Sequence, residues 1–234
     1  MTELTQLDMR RKIALVAIAV AAIVFISLGL PGQKEKADRS TASAPSAPAA
    51  QPAAAQASTD PKSFQGFIIY QDKPLVNHYA PSGYMPDGKC IQMDDAWTDN
   101  CKEGRSCIRV VFDGACAAKN QNWGGVYWLD PANNWGDHKG GFNLTGAQKL
   151  VFWTRGEKGD ENIAVFKVGG VSGEFPDSDS AEIGPVTLTK DWRQYTIDLK
   201  GKDLSHIIGG FAWVASAQAN PQAATFYLDD IHFE

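Results

Sequence analysis

Short runs of β-branched and aromatic residues, separated by clusters of Gly, Pro, Asn and Asp, fill the chain from Phe64 to its end. Such runs favour extended backbone and such clusters favour turns. The predicted strands are residues 67–70, 90–94, 107–112, 125–129, 149–155, 162–168, 181–187, 193–199, 210–215 and 225–233. No stretch in this part shows a helical period over ten residues or more, so we expect an all-β sandwich or jelly roll.

Two of these strands predict more than extended backbone. Tyr195, Ile197 and Leu199 alternate with polar residues, which is typical of an antiparallel strand with one buried face. In the last strand the apolar phase changes between Leu228 and Ile231, which predicts a β-bulge at the two intervening aspartates. An acidic pair at a bulge is either a candidate cation site or an exposed acidic turn.

The first 62 residues have a different pattern and contain no Trp, Tyr or Cys. Residues 13–30 are uncharged and apolar, and as a helix they would span roughly 27 Å, which predicts a transmembrane signal anchor after a cytoplasmic tail of residues 1–12. Residues 31–62 are rich in Ala and Pro, as in an extended linker. A cleaved signal peptide is the alternative. Both interpretations place a domain of residues 63–234 outside the cytoplasm, in the periplasm or the extracellular space.

Charge and cysteine usage narrow the function classes. The net charge is −5 at pH 7, and no basic face is visible, which argues against nucleic acid as a partner. An even number of cysteines in an exported domain predicts two disulfides, with three pairings open. Zinc is the alternative, although the spacing lacks the close pairs of structural zinc sites. The cysteines are Cys90, Cys101, Cys107 and Cys116.

Residues 121–137 carry the densest functional signal, because aromatic residues alternate there with amides and carboxylates. Pyranose C–H faces stack on aromatic rings, and sugar hydroxyls bond to amide and carboxylate groups. The segment therefore predicts a glycan-binding site, with core packing as the alternative for some of the rings. The candidate residues are Trp123, Tyr127, Trp128, Asn134, Trp135 and Asp137.

A second candidate surface comes from the strand at residues 149–155. Alternation places Trp153 and Arg155 on one face, and we expect Lys167 of the next strand to join them. An aromatic ring with two cations is an unusual core, so this face is either a binding surface or an ordinary solvated sheet face.

Catalytic motifs are not found in the sequence: the histidines stand singly, and neither a nucleophile elbow nor a metalloprotease motif occurs. The acidic cluster of Asp177, Asp179 and Glu182 leaves a glycoside hydrolase or lyase open as an alternative, since two carboxylates are the usual equipment of such enzymes. We therefore assign no catalytic residue.

Residues 81–88, 122–137, 149–170, 188–199 and 226–234 resemble the galactose-binding-like jelly rolls of bacterial carbohydrate-binding modules. The resemblance covers residues 63–234 and implies non-catalytic binding of a polysaccharide or envelope glycan. It also implies a structural calcium held near the last strand, for which the matching residues are Asp229, Asp230 and Asp72. The fold also occurs in assembly factors, so an envelope scaffold with a protein partner remains an alternative.

Overall fold

The computed structural model describes residues 64–73 and 77–234, which belong to one compact unit, Ser63–Glu234. The predicted tail, anchor and linker lie outside the described residues. Within them, no helix is long and apolar enough to cross a membrane. The strands are β1 (Phe67–Tyr70), β2 (Ala80–Met85), β3 (Ile91–Trp97), β4 (Cys107–Asp113), β5 (Trp123–Leu129), β6 (Lys149–Gly156), β7 (Asn162–Ile163), β8 (Val165–Gly169), β9 (Ser180–Ile183), β10 (Val186–Thr187), β11 (Arg193–Asp198), β12 (Gly209–Ser216) and β13 (Ala223–Phe233).

These strands form an all-β sandwich, as the sequence predicts. Sheet I has the order β11-β6-β13-β4-β3, and β1 pairs with the end of β13. Sheet II has the order β2-β5-β12-β8-β9, and β7 and β10 form a separate two-stranded ladder. The pairs within the two sheets are antiparallel, so alternate residues on each strand point to opposite faces. A single short helix, α1 (Gly114–Ala118), occurs in the described residues.

The main core lies between the two sheets. Sheet I contributes Phe152 of β6 and Phe226 of β13, whereas sheet II contributes Trp128 of β5 and Phe211 of β12, all of them buried. Apolar burial of this extent is the dominant favourable term in folding. A second, smaller apolar cluster around Tyr127 covers the outer face of sheet II.

The sequence prediction misses β2. It correctly predicts the phase change in β13. β2 contains Pro81 and Gly83, which favour turns in a sequence pattern, but β2 is an edge strand, where proline is tolerated. In β13 the register with β6 shifts between Asp229 and His232, and Asp230 has a φ of 45°. This irregularity is the predicted bulge, and it allows the residues on both sides of it to face the core.

Two disulfides close the β3–β4 region, as the even cysteine count predicts. Cys90 pairs with Cys116 of α1, and Cys101 pairs with Cys107 at the start of β4. No cysteine is left free, and all four lie in the described part of the chain. The second disulfide closes the β3–β4 loop, residues 98–106, which lies beside the outer face of sheet I.

Candidate functional site

Alternation along two central strands of sheet I brings polar and aromatic side chains to its outer face. In β13, Phe226 and Leu228 point into the core, so Tyr227 between them points outward. In β6, Phe152 points into the core, and Trp153 and Arg155 lie on the opposite face. The predicted grouping of Trp153 with Arg155 is therefore confirmed as an arrangement in space.

Ring and cation contacts extend this group into one continuous surface, which we name the aromatic–cation face. It contains four aromatic rings and three cationic side chains, which come from β3, the β3–β4 loop, β4, β6, the residue before β11, and β13. Its members are Trp97, Lys102, Arg109, Trp153, Arg155, Trp192 and Tyr227.

Cations fix the orientation of the tryptophan rings on this face. Lys102 Nζ lies 4.5 Å from the ring centroid of Trp153, and the guanidinium carbon of Arg109 lies 5.1 Å from that of Trp97. These distances are within the range of a cation–π attraction, which contributes about 0.5–2 kcal/mol per contact. The rings therefore have preferred positions before any ligand binds.

Hydrogen bonds hold two of the indoles as well. Trp192 Nε1 donates to the carbonyl oxygen of Asn100 at 3.0 Å, and Trp97 Nε1 donates to that of Asp99 at 3.0 Å. Trp97, Trp153 and Trp192 are all partly exposed, whereas Tyr227 is buried beneath them. Three partly exposed indoles on one rigid sheet are suited to stacking against the apolar face of a ligand.

The segment that the sequence singled out, residues 121–137, contributes mostly to packing. Trp128 is buried between the two sheets at 1 % exposure and has no ring face open to a ligand. Tyr127 is buried in the second apolar cluster, where its hydroxyl donates to the carbonyl oxygen of Gly169 at 3.0 Å. Burial raises the pKa of Tyr127, so it stays a neutral hydrogen-bond donor.

The other residues of this segment lie on the sheet II side of the sandwich. Trp123 and Trp135 are partly buried against the second apolar cluster, and the Trp135 ring meets that of Tyr127 edge-on at 5.9 Å. Asn134 is fully buried, and its Oδ1 accepts from the backbone N–H of Gly136 at 3.0 Å. Its role is to shape the loop in which Asp137 is exposed.

Lys167 does not join Trp153 and Arg155, contrary to the sequence expectation. It lies on β8 of sheet II, and its pairing with Ala212 of the second apolar cluster places it on the outer face of that sheet. Its Nζ lies 3.7 Å from a carboxylate oxygen of Glu182 on the neighbouring strand. The expectation is wrong because the strands β6 and β8 belong to different sheets, which the local pattern does not show.

The three carboxylates considered for hydrolysis have separate structural partners. Asp177 accepts from the backbone N–H groups of Val171, Ile208 and Gly209, and burial raises its pKa. The carboxylate of Asp179 pairs with a lysine at 3.2 Å, and that of Glu182 faces Lys167. Each of the three carboxylates therefore has a structural partner of its own.

The carboxylates proposed for calcium already receive hydrogen bonds from the β3–β4 loop. Asp72 Oδ1 accepts from the backbone N–H groups of Arg105 and Ser106 at 2.8 and 2.7 Å. Asp229 Oδ2 accepts from two further amides of this loop at 2.9 and 3.0 Å. Amide donors therefore point at one carboxylate oxygen of Asp72 and one of Asp229.

Asp230 also has a partner, since its Oδ1 lies 3.2 Å from Nδ1 of His232. Burial raises the pKa of Asp229 to about 6, and the neighbouring Asp230 carboxylate adds to the shift. In the described residues, no group of three or more His, Cys, Asp or Glu side chains is arranged to hold a metal ion. Asp72, Asp229 and Asp230 do not fit a calcium site in this arrangement, and calcium binding stays an untested prediction.

Sequence reasoning missed most of the aromatic–cation face. Trp97, Arg109, Trp192 and Tyr227 are dispersed over four segments, and only strand order brings them together. One local signal was present in the last strand. Tyr227 stands between the core residues Phe226 and Leu228, so its ring points outward and is buried only if other residues cover that face.

Comparison of the structure with solved structures returns carbohydrate-binding modules. The family 30 module of a cellulosomal cellulase from Clostridium thermocellum is 19% identical, with a TM-score of 0.47 over 73% of this chain and 97% of that chain. The family 11 module from Clostridium thermocellum, solved in complex with a β-1,3-1,4-mixed-linked tetrasaccharide, is 13% identical, with a TM-score of 0.45 over 72% and 95%.

A point variant of a family 29 carbohydrate-binding module is 11% identical, with a TM-score of 0.43 over 72% of this chain and 84% of that chain. No family model matches the sequence, and no curated protein matches it. The structure comparison thus returns the same class of protein that the sequence motifs resemble. At this level of identity and overlap, no binding residue is carried over from these modules to this chain.

Proposed function

We propose that the domain is a non-catalytic glycan-binding module that binds polysaccharide or envelope glycan through the aromatic–cation face. The observation that supports this most directly is the set of three partly exposed indoles, Trp97, Trp153 and Trp192, held in place on the outer face of one sheet. Sugar rings stack on such surfaces through their C–H groups, and the rigid positions keep the entropic cost of binding low.

Polar groups beside these rings are suited to the hydroxyl groups of a sugar. Gln194 of β11 is exposed and lies directly opposite Trp153 of β6, and Thr196 is exposed two residues further on. An amide carries both donors and an acceptor, so it can bond to neighbouring hydroxyls of one pyranose. Stacking on Trp153 and hydrogen bonding to Gln194 would then act on the same sugar unit.

The proposed setting is a galactose-binding-like jelly roll held outside the cytoplasm by the residue 13–30 anchor and the residue 31–62 linker. Two disulfides, Cys90–Cys116 and Cys101–Cys107, are in keeping with an oxidising compartment. The linker, if fully extended, reaches on the order of 100 Å at about 3.1 Å per residue, which would let the domain search for glycan above the membrane.

The function is tested by binding of the full chain, solubilised in detergent, to a panel of neutral and acidic glycans. We expect Trp153→Ala and Trp192→Ala to weaken binding at least about tenfold, which corresponds to roughly 1.4 kcal/mol. Trp123→Ala is the matched control, because Trp123 lies on the opposite side of the sandwich. Equal loss in all three variants, or no binding to any glycan, would refute the proposal.

A further inference from the structure

Three neighbouring strands of sheet I place two arginines on either side of one tyrosine. Arg109 of β4 is paired directly with Tyr227 of β13, and Arg155 of β6 is paired with Tyr227 from the other side. Directly paired residues of antiparallel strands point to the same face, with Cβ atoms about 4.5–5.5 Å apart. The two guanidinium groups therefore flank one ring in a row across the aromatic–cation face.

Arg155 is the more deeply placed of the two, at 8 % exposure. Its guanidinium carbon lies 3.8 Å from the ring centroid of Tyr227 and 5.4 Å from that of Trp192. Its Nη1 donates to the carbonyl oxygen of Gly156 at 3.4 Å, and its buried Nε has no acceptor in the described part of the chain. A buried cation is costly without a counter-charge, and ring contacts offset only part of that cost.

Within residues 64–73 and 77–234, no carboxylate forms an ion pair with Arg109 or Arg155. Two nearby acids form hydrogen bonds with other groups. Glu157 Oε2 accepts from the Tyr227 hydroxyl at 2.5 Å. Asp94, directly opposite Arg109 in the register, accepts from a backbone amide of its own turn at 2.9 Å. In the described residues the two arginines of the aromatic–cation face thus form no ion pair, although Asp94 lies opposite Arg109.

Two further charged groups, Lys102 and Asp229, lie beside Trp153 of this face. Lys102 pairs with Glu103 at 3.1 Å while its Nζ lies over Trp153. Asp229 is fully buried, and its carboxylate accepts from backbone amides of the β3–β4 loop. Neither group supplies an anion to the two arginines.

We propose, on the basis of the function proposed above, that the glycan is acidic and that Arg155 and Arg109 bind the carboxylate of a uronic acid. A planar guanidinium matches a carboxylate with two parallel N–H···O bonds, which lysine cannot reproduce. The same sugar ring has an apolar C–H face that stacks on the adjacent indoles. Aromatic rings beside arginines that form no ion pair are thus complementary to both parts of a uronic acid.

The ligand side of the inference is tested with polygalacturonate and glucuronoxylan, each compared with its carboxyl-reduced form. Reduction converts the carboxylate into a neutral hydroxymethyl group and leaves the ring in place. We expect the full chain in detergent to bind at least one acidic glycan about tenfold or more tightly than its reduced form. Raising the salt concentration should weaken only the binding of the acidic form. Equal affinity for acidic and reduced forms would overturn the inference.

The protein side is tested with Arg109→Gln and Arg155→Gln, compared with Arg193→Gln as a control. Arg193 is an exposed arginine of β11 in the same sheet, paired with Thr154 rather than with a residue of the aromatic–cation face. We expect the preference for the acidic form to fall about tenfold in the first two variants and to persist in the control. Arg109 is only partly buried, so its variant decides the question even if Arg155→Gln fails to fold.

These results separate the inference from the proposed function. Binding of neutral glycans alone, lost in Trp153→Ala, would overturn the preference for acidic sugars and leave glycan binding intact. Failure to bind any glycan would overturn both. An unchanged acidic preference in folded Arg109→Gln and Arg155→Gln would overturn the assignment of the carboxylate to these two arginines.

Discussion

The indole Nε1 of Trp192 donates a 3.0 Å hydrogen bond to the carbonyl oxygen of Asn100, which lies 92 residues earlier in the chain. Asn100 belongs to the β3–β4 loop, residues 98–106, and Lys102 of the same loop lies over Trp153. Asp99 of the loop accepts from Trp97 Nε1, so the loop contacts all three partly exposed indoles. Because the Cys101–Cys107 disulfide closes it, the disulfide also restrains the position of the rings.

The first prediction concerns this disulfide. Replacing Cys101 and Cys107 together by serine should weaken glycan binding by the folded protein several-fold, because the loop that positions Trp192 and Trp153 becomes free to move. The cost in stability should be modest, about 2 kcal/mol, because the closed loop is short. Isothermal titration and chemical denaturation of the same sample measure both quantities.

The control is the second disulfide, Cys90–Cys116, which spans a sequence separation of 26 rather than 6. It joins α1 to the start of β3, away from the indoles. Its double serine variant should lose more stability, about 3.5 kcal/mol, and should keep the affinity of the folded protein. Unchanged affinity in the Cys101/Cys107 variant would show that the loop does not position the rings.

Individual strands differ in how far the sequence could predict them. Local alternation was sufficient for β11 and for the bulge in β13, because both depend on which residues within one strand face the core. Local pattern misjudged Tyr127 and Trp128, because β5 is an internal strand of sheet II and both rings are buried there. Rings on a doubly covered strand pack inside, however polar the sequence around them.

The aromatic–cation face depended on strand order, which a single sequence does not reveal. Arg109, Arg155 and Tyr227 are adjacent only because β4 and β6 pair with opposite edges of β13. β13 is the last strand of the chain, so these contacts have large sequence separations. No periodicity within β4 or β6 predicts which strand will lie beside it.

The second prediction concerns Asp229, whose pKa burial raises to about 6 from the ordinary 3.8. A carboxyl with a raised pKa in the folded state contributes stability below pH 3.8, and that contribution is lost as the pH rises through 6. The free energy of unfolding of the wild type, minus that of Asp229→Asn, should therefore fall between about pH 4 and pH 6.5. The full change should not exceed about 3 kcal/mol.

Chemical denaturation of both proteins at half-unit pH intervals measures this difference. Asp94→Asn, at an exposed position on β3, which is separated from β13 by β4, serves as a control for adding an amide near this face. A wild-type advantage that grew with pH over this interval would contradict the prediction, since it would mean that the loop amides lower the pKa of Asp229 more than burial raises it.

The third prediction concerns His232, whose pKa is raised by ion pairing rather than by burial. The carboxylates of Asp230 and Glu234, at 3.2 and 3.0 Å from the two ring nitrogens, raise the pKa of His232 to about 9. The protonated imidazole therefore stabilises the fold below pH 6.5, and this contribution is lost as the pH rises through 9. His232→Gln should cost on the order of 1–2 kcal/mol at about pH 6 and little at about pH 10, after solvent screening.

Denaturation at both pH values and an NMR titration of the His232 ring measure the effect. His138→Gln, at an exposed histidine of the loop after β5, is the matched control for replacing a histidine by glutamine. A midpoint near the ordinary 6.5 for the His232 ring would contradict the prediction.

The last prediction concerns calcium, which the resemblance to carbohydrate-binding modules implies. Asp72 Oδ1 and Asp229 Oδ2 each accept two backbone amides, so a cation bound through these two oxygens would compete with those hydrogen bonds. We expect the melting temperature after dialysis against EDTA to stay the same when millimolar calcium is added. A bound ion present at about 100 times its Kd would add ~2.7 kcal/mol and raise the melting temperature by several degrees. A rise of that size with calcium, absent with magnesium and abolished by Asp72→Asn, would show that the β3–β4 loop rearranges to admit the ion.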